Sequence, residues 1–394
     1  MISAAPCGAA PQPAAILDPS PPHRQGPLSI GPAGRYGRAM TTTRFHALTV
    51  VDVRRETADC VSLAFAVPDP LQAAFRFTPG QYLTLRTTID GEECRRSYSI
   101  CASPDDGELR VAIKRLEGGA FSTWANEAPR PGDTIEVMPP DGRFGVPEGP
   151  DGRTYAAFAA GSGITPMLSI IRAVLAREPA SRVFLFYGNR STASIIFREQ
   201  LEDLKDRHLA RLSVFHVLSR EQQDVPALNG RLDAEKVRLL MRHMVPPEVD
   251  HALVCGPFAM IEGLEKTLLD LGLPRERVHV ERFTPAPGGR PRPLRQMAAA
   301  APRAIATIIA DGARTEIPVA AGETIIEAGE RAGLSLPYSC RGGMCCTCRA
   351  RVVEGRVEMA VNYSLEPWET DAGFVLTCQS TPVSERVVID YDQV

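Results

Sequence analysis

Four cysteines with the spacing of a plant-type iron–sulfur site have the clearest chemistry in this chain. Cys340, Cys345 and Cys348 follow the pattern C-x4-C-x2-C, and Cys378 supplies a fourth thiol further along. Three thiolates from one tight loop and a fourth from a distant strand can enclose two irons without large backbone strain. The spacing therefore predicts a [2Fe–2S] cluster and single-electron transfer.

The predicted cluster loop also contains Gly342, Gly343 and a further thiol, Cys346. Glycine tolerates positive φ, so we expect the two glycines to make the sharp turn of the loop. Cys346 can replace Cys345 only if the spacing changes to x5 and x1, and we interpret it as a non-ligand that is open to oxidation. Zinc would require two close Cys/His pairs, and only Cys345 and Cys348 form one. Structural disulfides are the other alternative, but nothing marks the chain as secreted.

A second set of chemically suited residues is the run R-S-Y-S-I, which contains Arg96, Tyr98, Ser99 and Ile100 and has the pattern of a strand. A guanidinium suits the phosphates of a flavin nucleotide, and an aromatic ring can pack on the flavin face. A small hydroxyl residue can approach the reactive edge of the flavin. The alternative is that Arg96 and Tyr98 are ordinary surface and half-buried residues of a strand.

A glycine turn further along strengthens the flavin hypothesis. Gly118 and Gly119 precede Phe121, Ser122 and Thr123 at the start of a short helix, whose N–H groups would receive a pyrophosphate. The alternative is an ordinary glycine-rich turn with Ser122 as the helix N-cap. The strand and the turn together predict a flavin site better than either does alone.

A nucleotide-binding loop is predicted between a strand and a helix, in the run G-S-G-I-T-P. This run contains Gly161, Gly163, Thr165 and Pro166. Pro166 replaces the third glycine of the dinucleotide fingerprint. We expect Thr165 to be the N-cap of the helix and Pro166 its first residue.

Two later strand ends complete the predicted nucleotide site. Arg190 follows the second strand, where it can pair with a 2′-phosphate, so the pattern favours NADPH over NADH. The alternative is that Arg190 is a surface residue. Cys255, Gly256 and Pro257 end the fourth strand, at the sheet edge where ligands bind. Cys255 either packs beside the nicotinamide ring or is a buried structural cysteine.

The elements that must position these residues divide the chain into domains. Residues 41–150 contain short segments with strand patterns separated by Pro-Gly and Asp-Gly turns, which predicts an antiparallel β-barrel. Residues 151–284 alternate strands with helices, which predicts a doubly wound parallel sheet of five strands. Residues 303–394 are predicted to form a compact α+β, β-grasp-like ferredoxin module around the cluster loop.

Two further segments are predicted to lie outside the folded domains. Residues 285–302, rich in Pro and Arg, have the composition of a linker. Residues 1–40 are rich in Pro, Ala and Gly without apolar periodicity, and we expect them to be disordered. A strand pattern begins directly after Met40, which leads to the hypothesis that Met40 is the natural start of the protein.

The composition is that of a globular protein of two or three domains. The 394 residues are 44% hydrophobic, with a net charge of −3 and a mean hydropathy of −0.10. The charge gives no support for nucleic-acid binding, and no apolar run approaches the ~18 residues of a membrane span. The N-terminus lacks the pattern of a secretory signal, and ten cysteines in such a chain predict the reducing cytoplasm.

The sequence also indicates what this chain leaves to other proteins. A Rieske centre needs His ligands, and no Cys-x-His pair is present. A carboxylate-bridged di-iron site needs paired Glu-x-x-His motifs, and one such motif, Glu276 with His279, falls largely on a predicted strand. We therefore expect the chain to move electrons without activating oxygen itself. Residues 303–394 include 13 acidic and 8 basic residues. Such an excess of negative charge fits either a docking surface or an ordinary solvated surface.

The order of barrel, nucleotide domain and plant-type ferredoxin resembles the ferredoxin–NADP⁺ reductase superfamily fused to an iron–sulfur module. The resemblance covers residues 41–394. The positions that match the motifs of the family are Arg96, Tyr98 and Ser99 (R-x-Y-S, flavin), 119–123 (flavin pyrophosphate), 161–166 (pyridine nucleotide), 255–257 (nicotinamide), and Glu281 with Phe283 (E-x-F, near the flavin). The resemblance implies that Ser99, Cys255 and Glu281 lie where the flavin and the nicotinamide react.

Finer features narrow this resemblance. The stretch S-C-R-G-G-M-C-C-T-C-R and the later V-L-T-C-Q-S are similar to reductase components of bacterial phenylacetyl-CoA epoxidases. The resemblance implies FAD over FMN, and transfer of electrons from NADPH through FAD and the cluster to a separate di-iron oxygenase. A reductase of another aromatic, alkane or steroid oxygenase or of a desaturase is an alternative, and an iron–sulfur redox sensor is an alternative of another class.

Overall fold

The computed structural model describes residues 45–147, 149–283 and 302–393. Within them the chain divides into two compact units. One contains the described residues up to 283 together with 337–340, and the other contains the remaining residues from 302 onward. The predicted tail at 1–40 and the predicted linker before residue 302 lie outside the described residues.

The first part of the chain forms the predicted antiparallel barrel. Its strands are β1 (His46–Thr57), β2 (Cys60–Ala66), β3 (Tyr82–Ile89), β4 (Glu92–Ser99), β5 (Leu109–Lys114) and β6 (Thr134–Val137). They pair in the order β4-β3-β6-β1-β2-β5, and a bridge between Ile100 and Val111 joins the two outer strands at one end. Alternate side chains such as Leu83 and Leu85 fill the interior. Helix α1 (Ala120–Glu127) follows β5.

The middle of the chain forms the predicted parallel sheet. Its strands are β7 (Thr154–Ala160), β8 (Arg182–Asn189), β9 (Leu212–Leu218), β10 (His251–Gly256) and β11 (Val278–Arg282). The helices between them are α2 (Ile164–Arg177), α3 (Arg198–Arg207), α4 (Ala234–Met244) and α5 (Phe258–Asp270). All four strand pairs are parallel, in the order β11-β10-β7-β8-β9.

The central position of β7 explains its composition. The sequence T-Y-A-A-F-A-A is buried along almost its whole length, because helices cover both faces of the sheet. Chain order reverses between β7 and β10, which lie side by side at the centre. Such a switch point opens a crevice at the carboxyl ends of the two strands, where doubly wound sheets bind ligands.

The last part of the chain forms a separate α+β module. Strands β12 (Pro302–Ala310), β13 (Ala313–Ala320), β14 (Arg349–Glu354), β16 (Phe374–Leu376) and β18 (Arg386–Asp390) form a mixed sheet, and β15 (Val357–Met359) pairs with β17 (Ser380–Pro382). Helices α6 (Ile325–Arg331) and α7 (Pro367–Asp371) complete it. Ile308, Val319, Ile325 and Ile389 lie in its interior. The predicted α+β fold of this module is confirmed.

Among the helices of the described residues, none has the length and apolar character needed to cross a bilayer.

Candidate functional site

The predicted flavin strand is β4, whose side chains range from exposed to buried. Arg96 is exposed, with Nη1 donating to the carbonyl of Arg95 at 2.6 Å, whereas Ser99 and Ile100 are buried. Tyr98 is half-buried, and burial raises the pKa of its phenol well above the usual value. The phenol therefore stays neutral, as a ring that packs on a flavin should.

Helix α1 approaches this strand through an aromatic contact. The ring of Phe121 lies 5.6 Å from that of Tyr98 and 5.3 Å from that of Trp124. Phe121 is only 1% exposed, so its side chain belongs to the core and supports Tyr98 from behind. At this position only the backbone N–H remains for a ligand.

The N-terminus of α1 is suited to a pyrophosphate. The N-cap is Gly119, and no side chain caps the helix, so amides of the first turn are left for a ligand. Ser122 is not the N-cap. Its hydroxyl accepts from the N–H of Leu116 at 3.0 Å and donates to the carbonyl of Gly119 at 3.1 Å, which closes the turn before the helix. The N–H of Thr123 bonds the same carbonyl at 3.0 Å.

The predicted nucleotide loop lies at the switch point of the parallel sheet. A short 3₁₀ turn at Gly161–Gly163 joins β7 to α2. A Cβ at Gly163 would lie 2.1 Å from the carbonyl oxygen of Cys255 and 3.0 Å from the N of Gly256. Glycine is therefore required, because this loop packs directly on the backbone end of β10. The structure thus brings the G-S-G and C-G-P motifs together.

The start of α2 differs from the prediction. The helix begins at Ile164 with Gly163 as N-cap, so Thr165 is not the cap and Pro166 is not the first residue. Thr165 is buried, and its hydroxyl donates to the carbonyl of Ser162 at 3.0 Å. Pro166 still lies in the first turn, where its missing N–H costs nothing. The 3₁₀ turn shifts the start of the helix, and the residue types alone did not show it.

Cys255 and Glu281 are register partners on β10 and β11. Burial raises the pKa of Cys255 well above its usual value, and the nearby Glu281 carboxylate adds to this effect. Burial also raises the pKa of Glu281 to about 8, against the opposing charges of Arg282 and Arg143. At neutral pH the pair therefore presents a thiol and a largely protonated carboxyl group. Phe283, the last residue of the predicted E-x-F segment, follows β11 and is 37% exposed.

Arg190 follows β8 as predicted, but it already has an anionic partner. Its Nη2 lies 3.2 Å from Oδ2 of Asp59, in the turn between β1 and β2. The same carboxylate lies 3.7 Å from Nζ of Lys114, at the end of β5. Lys114 Nζ also lies 3.9 Å from the position of a Cβ on Gly161, so this ammonium group is beside the nucleotide loop. Sequence reasoning missed both Asp59 and Lys114. A cation at a strand end just before a glycine turn was the available signal for Lys114.

The four predicted cluster ligands lie on two neighbouring segments. Cys340, Cys345 and Cys348 lie on the loop between α6 and β14, and Cys378 lies just after β16. Thr377 joins the segments, because its N–H and hydroxyl both donate to the carbonyl of Cys348, at 3.1 and 2.8 Å. Cys348 and Cys378 are buried, and Cys340 and Cys345 are half-buried. The structure thus brings the fourth cysteine to the loop that carries the other three.

The turn of this loop differs in detail from the prediction. Gly343 has the expected positive φ, of 75°, but the other positive values fall at Arg341 (50°) and Cys346 (56°), and Gly342 has none. Arg341 is held in place by an ion pair with Glu330 and by Gln379, whose Nε2 donates to the Arg341 carbonyl at 2.8 Å. These contacts offset the cost of a left-handed residue, about 1 kcal/mol.

The thiol and the carbonyl group of Cys346 both have partners within the ferredoxin module. Its Sγ donates to Oγ of Ser364 at 3.0 Å, and its carbonyl accepts from the N–H of Arg349 at 2.8 Å. These contacts favour Cys345 over Cys346 as a ligand.

None of the nine described cysteines forms a disulfide. Within 45–147, 149–283 and 302–393, no three Cys, His, Asp or Glu side chains converge as the ligands of a single metal ion would. The assignment of a two-iron cluster therefore depends on the spacing of the cysteines, on their soft thiolate chemistry and on similarity to known proteins.

Three family models match successive parts of the chain. Residues 47–145 match the oxidoreductase FAD-binding domain, 158–266 the oxidoreductase NAD-binding domain, and 308–383 the 2Fe-2S iron-sulfur cluster binding domain. The three matches fall in the barrel, the parallel sheet and the α+β module respectively. The chain therefore carries an FAD-binding, an NAD-binding and a [2Fe–2S] domain, in the predicted order.

Curated relatives match the chain over most of its length. It is 47% identical to one of the subunits of the 1,2-phenylacetyl-CoA epoxidase from Escherichia coli (strain K12), over 89% of this chain and 98% of that one. It is 35% identical to the ferredoxin reductase component of 3-ketosteroid-9-alpha-monooxygenase from Rhodococcus rhodochrous, over 87% of this chain and 96% of that one.

Solved structures share the fold. Phthalate dioxygenase reductase matches with a TM-score of 0.54 and 24% identity, over 89% of this chain and 100% of that one. An intact type IV self-sufficient cytochrome P450 monooxygenase matches with a TM-score of 0.62 and 20% identity, over 88% of this chain. The chain spans 41% of the length of that larger protein.

Proposed function

Since this chain belongs to the family of flavin- and iron–sulfur-containing reductase components of multicomponent oxygenases, we propose that it passes electrons from NADPH to the oxygenase component of a phenylacetyl-CoA epoxidase. The observation that carries the proposal is the 47% identity to the epoxidase protein from Escherichia coli, which extends over all three domains. The 35% identity to a steroid monooxygenase reductase favours, as a second candidate, the same activity toward another oxygenase.

The chemistry of electron transfer comes from the cofactors, and the residues of this chain position them. When bound, FAD and the [2Fe–2S] cluster convert the electron pair of a reduced nicotinamide into single electrons. Tyr98 would pack on the flavin ring, and Arg96 would pair with the flavin phosphates. The turn from Gly119 to Thr123 would bind the pyrophosphate through the amides of its middle residues, among them Phe121 and Ser122, because the amides of Gly119 and Thr123 already donate to carbonyl groups. Cys340, Cys345, Cys348 and Cys378 hold the cluster as thiolates.

The nicotinamide end of the site has three proposed participants, Ser99, Cys255 and Glu281. Ser99 offers a small hydroxyl group at the flavin edge, where a larger side chain would block the approach of the nicotinamide. Cys255 remains a thiol, so it presents a soft neutral surface to the ring. Glu281, protonated at neutral pH, can hold a proton close to the reacting atoms without adding a negative charge.

Phosphate groups of the dinucleotide are proposed to bind along the edge of the parallel sheet. The loop from Gly161 through Gly163 to Thr165 and Pro166 receives the pyrophosphate, and Lys114 adds a positive charge beside it. Gly256 and Pro257 lie across from this loop at the end of β10. Arg190 would bind the 2′-phosphate of NADPH after it separates from Asp59. The neighbouring acid Glu221, which could favour NADH, is bonded to the N–H and hydroxyl of Thr192, at 2.7 and 2.6 Å.

Domain limits at 41–150, 151–284 and 303–394, with a linker at 285–302, are part of the proposal. A cytoplasmic location is also proposed, because cysteines without disulfides and a thiolate-bound cluster suit a reducing compartment.

The test is reconstitution of the epoxidase reaction. The purified protein is mixed with the oxygenase component, NADPH and phenylacetyl-CoA, and the epoxide product is measured. We expect product formation that depends on all four. Rapid NADPH-dependent reduction of ferricyanide without epoxide would assign the protein to another oxygenase. A protein with full flavin and cluster occupancy that lacks turnover with any acceptor would be a redox sensor instead.

A further inference from the structure

Residues 357–371 form a surface segment beside the cluster loop that the proposed function does not yet use. Two of its apolar side chains, Val361 and Trp368, are exposed, and Trp368 is exposed by 60%. Single exposed Val or Leu residues are ordinary on protein surfaces. An exposed indole is less ordinary, because Trp is enriched at the centres of protein interfaces, where it supplies much of the binding energy.

The segment lies directly against the loop that carries the cysteines. The N–H of Tyr363 and the hydroxyl of Ser364 both donate to the carbonyl of Gly343, at 3.1 and 3.2 Å. Ser364 Oγ also accepts from Sγ of Cys346 at 3.0 Å. A Cβ at Gly343 would lie 3.1 Å from the carbonyl oxygen of Val361. A protein bound to this segment would therefore be next to the cluster loop, since four residues span at most about 14 Å between Ser364 and Trp368.

Local contacts fix the backbone that presents Trp368. The Asn362 side chain accepts from the N–H groups of Ser364 and Leu365, at 3.1 and 2.8 Å. Leu365 is buried, and Glu369, fully buried within α7, forms an ion pair of 2.8 Å with Arg349. Trp368 is thus presented on an ordered turn, which lowers the entropy lost when a partner binds.

The charge of the segment indicates the charge of that partner. Between residues 357 and 371 the sequence contains four acidic residues and no Lys or Arg. Arg349 neutralises Glu369, while Glu358, Glu366 and Asp371 are exposed on either side of Trp368. The complementary surface is therefore an apolar pocket bordered by Lys and Arg side chains.

We propose that residues 357–371, with Trp368 as the anchor, are the docking surface for the oxygenase component. The partner receives the Trp368 side chain in an apolar pocket bordered by basic residues. This inference rests on the proposed function and names the part of the molecule that recognises the partner. Transfer of electrons within the reductase, from NADPH to the cluster, does not use this surface.

The test is Trp368→Ala in the full-length holoprotein. With the oxygenase component titrated in NADPH-driven turnover, we expect the KM for that component to rise at least tenfold, as for an interface hot spot. Ferricyanide reduction and the stopped-flow rates of flavin and cluster reduction should not change, because those steps need no docking. Val353→Ala is the matched control, since Val353 is 53% exposed on β14 and lies outside the segment. It should leave every measurement unchanged.

Asp371→Lys keeps the indole and reverses one charge of the surface. It should also raise the KM for the oxygenase component and reduce the dependence of that KM on ionic strength. If the Trp368→Ala protein lacks the visible absorption of the cluster, its KM does not test docking. The KM measured with Asp371→Lys is then the deciding result.

If the KM for the oxygenase component is unchanged in the deciding variant, residues 357–371 are not the docking surface. Slower reduction of the cluster by NADPH overturns it equally, because the segment would then serve electron transfer inside the reductase. If the unmodified holoprotein supports no turnover with the oxygenase component, the proposed function itself fails, and the docking surface fails with it.

Discussion

Cys345 and Cys346 are adjacent thiols with different surroundings, and substitution distinguishes them. Cys346 has a left-handed backbone and donates to Ser364, so its thiol is engaged outside the proposed ligand set. We predict that Cys345→Ser abolishes the visible absorption of the cluster and leaves reduction of the flavin by NADPH intact. Cys346→Ser, the matched control, should keep the absorption. The reverse pattern would make Cys346 the ligand.

Asp59 and Arg190 form an ion pair that must open before a 2′-phosphate binds. Asp59→Asn removes the competing charge, so we predict a KM for NADPH several times lower and little change for NADH. Arg190→Ala should raise the KM for NADPH at least tenfold and leave that for NADH nearly constant. Steady-state kinetics with both nucleotides measures the two effects. Equal changes for the two nucleotides would show that Arg190 does not bind the 2′-phosphate.

Glu281 should make stability depend on pH in an unusual direction. Burial raises the pKa of its carboxyl group from 4.5 to about 8, so between these values the folded state holds a proton that the unfolded state has lost. The free energy of unfolding should therefore fall as pH rises from about 4.5 to about 8. Glu281→Gln should lack this decrease. Urea unfolding of both proteins at several pH values measures the difference, and parallel curves would argue against the shifted pKa.

At the scale of elements, the contact between the nucleotide loop and the end of β10 leaves no room for a side chain. We predict that Gly163→Ala destabilises the protein by about 3 kcal/mol, through a clash with the Cys255 carbonyl, and abolishes NADPH binding. Gly263→Ala is the matched control, because a Cβ at Gly263 in α5 meets no atom within 4 Å. That change should stabilise the protein by about 1 kcal/mol, since Ala is the better helix former. Thermal unfolding and nucleotide titration measure both effects.

Element types and their order were predictable from the sequence because each domain has a strong repeating pattern. Short strands between turn residues indicated the barrel, and alternating strands and helices indicated the parallel sheet. The 3₁₀ turn at Gly161–Gly163 was not predictable, because the close approach of β10 determines it. The ion pair between Asp59 and Arg190 was also not predictable from the sequence. It joins a turn of the barrel to the end of a strand in the parallel sheet. These two segments are far apart in the sequence, so no local sequence pattern indicates the contact.

At the scale of the whole molecule, the two compact units have separate interiors. We predict two transitions in calorimetric unfolding, because each unit buries its own apolar residues. Removal of iron should have its largest effect on the midpoint of the transition that belongs to the ferredoxin module, since the proposed ligands Cys345, Cys348 and Cys378 lie in that unit. Absorption of the flavin and of the cluster during heating assigns each transition. A single transition that shifts as a whole would contradict this expectation.

The bridge between Ile100 and Val111 has a consequence for association between molecules. It joins the outer strands β4 and β5 at one end of the barrel, and Cys101 N–H donates to the Arg110 carbonyl at 2.9 Å beside it. Away from this bridge, β4 carries the exposed charges of Glu92, Glu93 and Arg96. Because the barrel is closed at one end and β4 is charged along the rest of its length, a second chain finds no flat edge to which it could add a strand. The flavin domain is therefore protected against edge-to-edge aggregation.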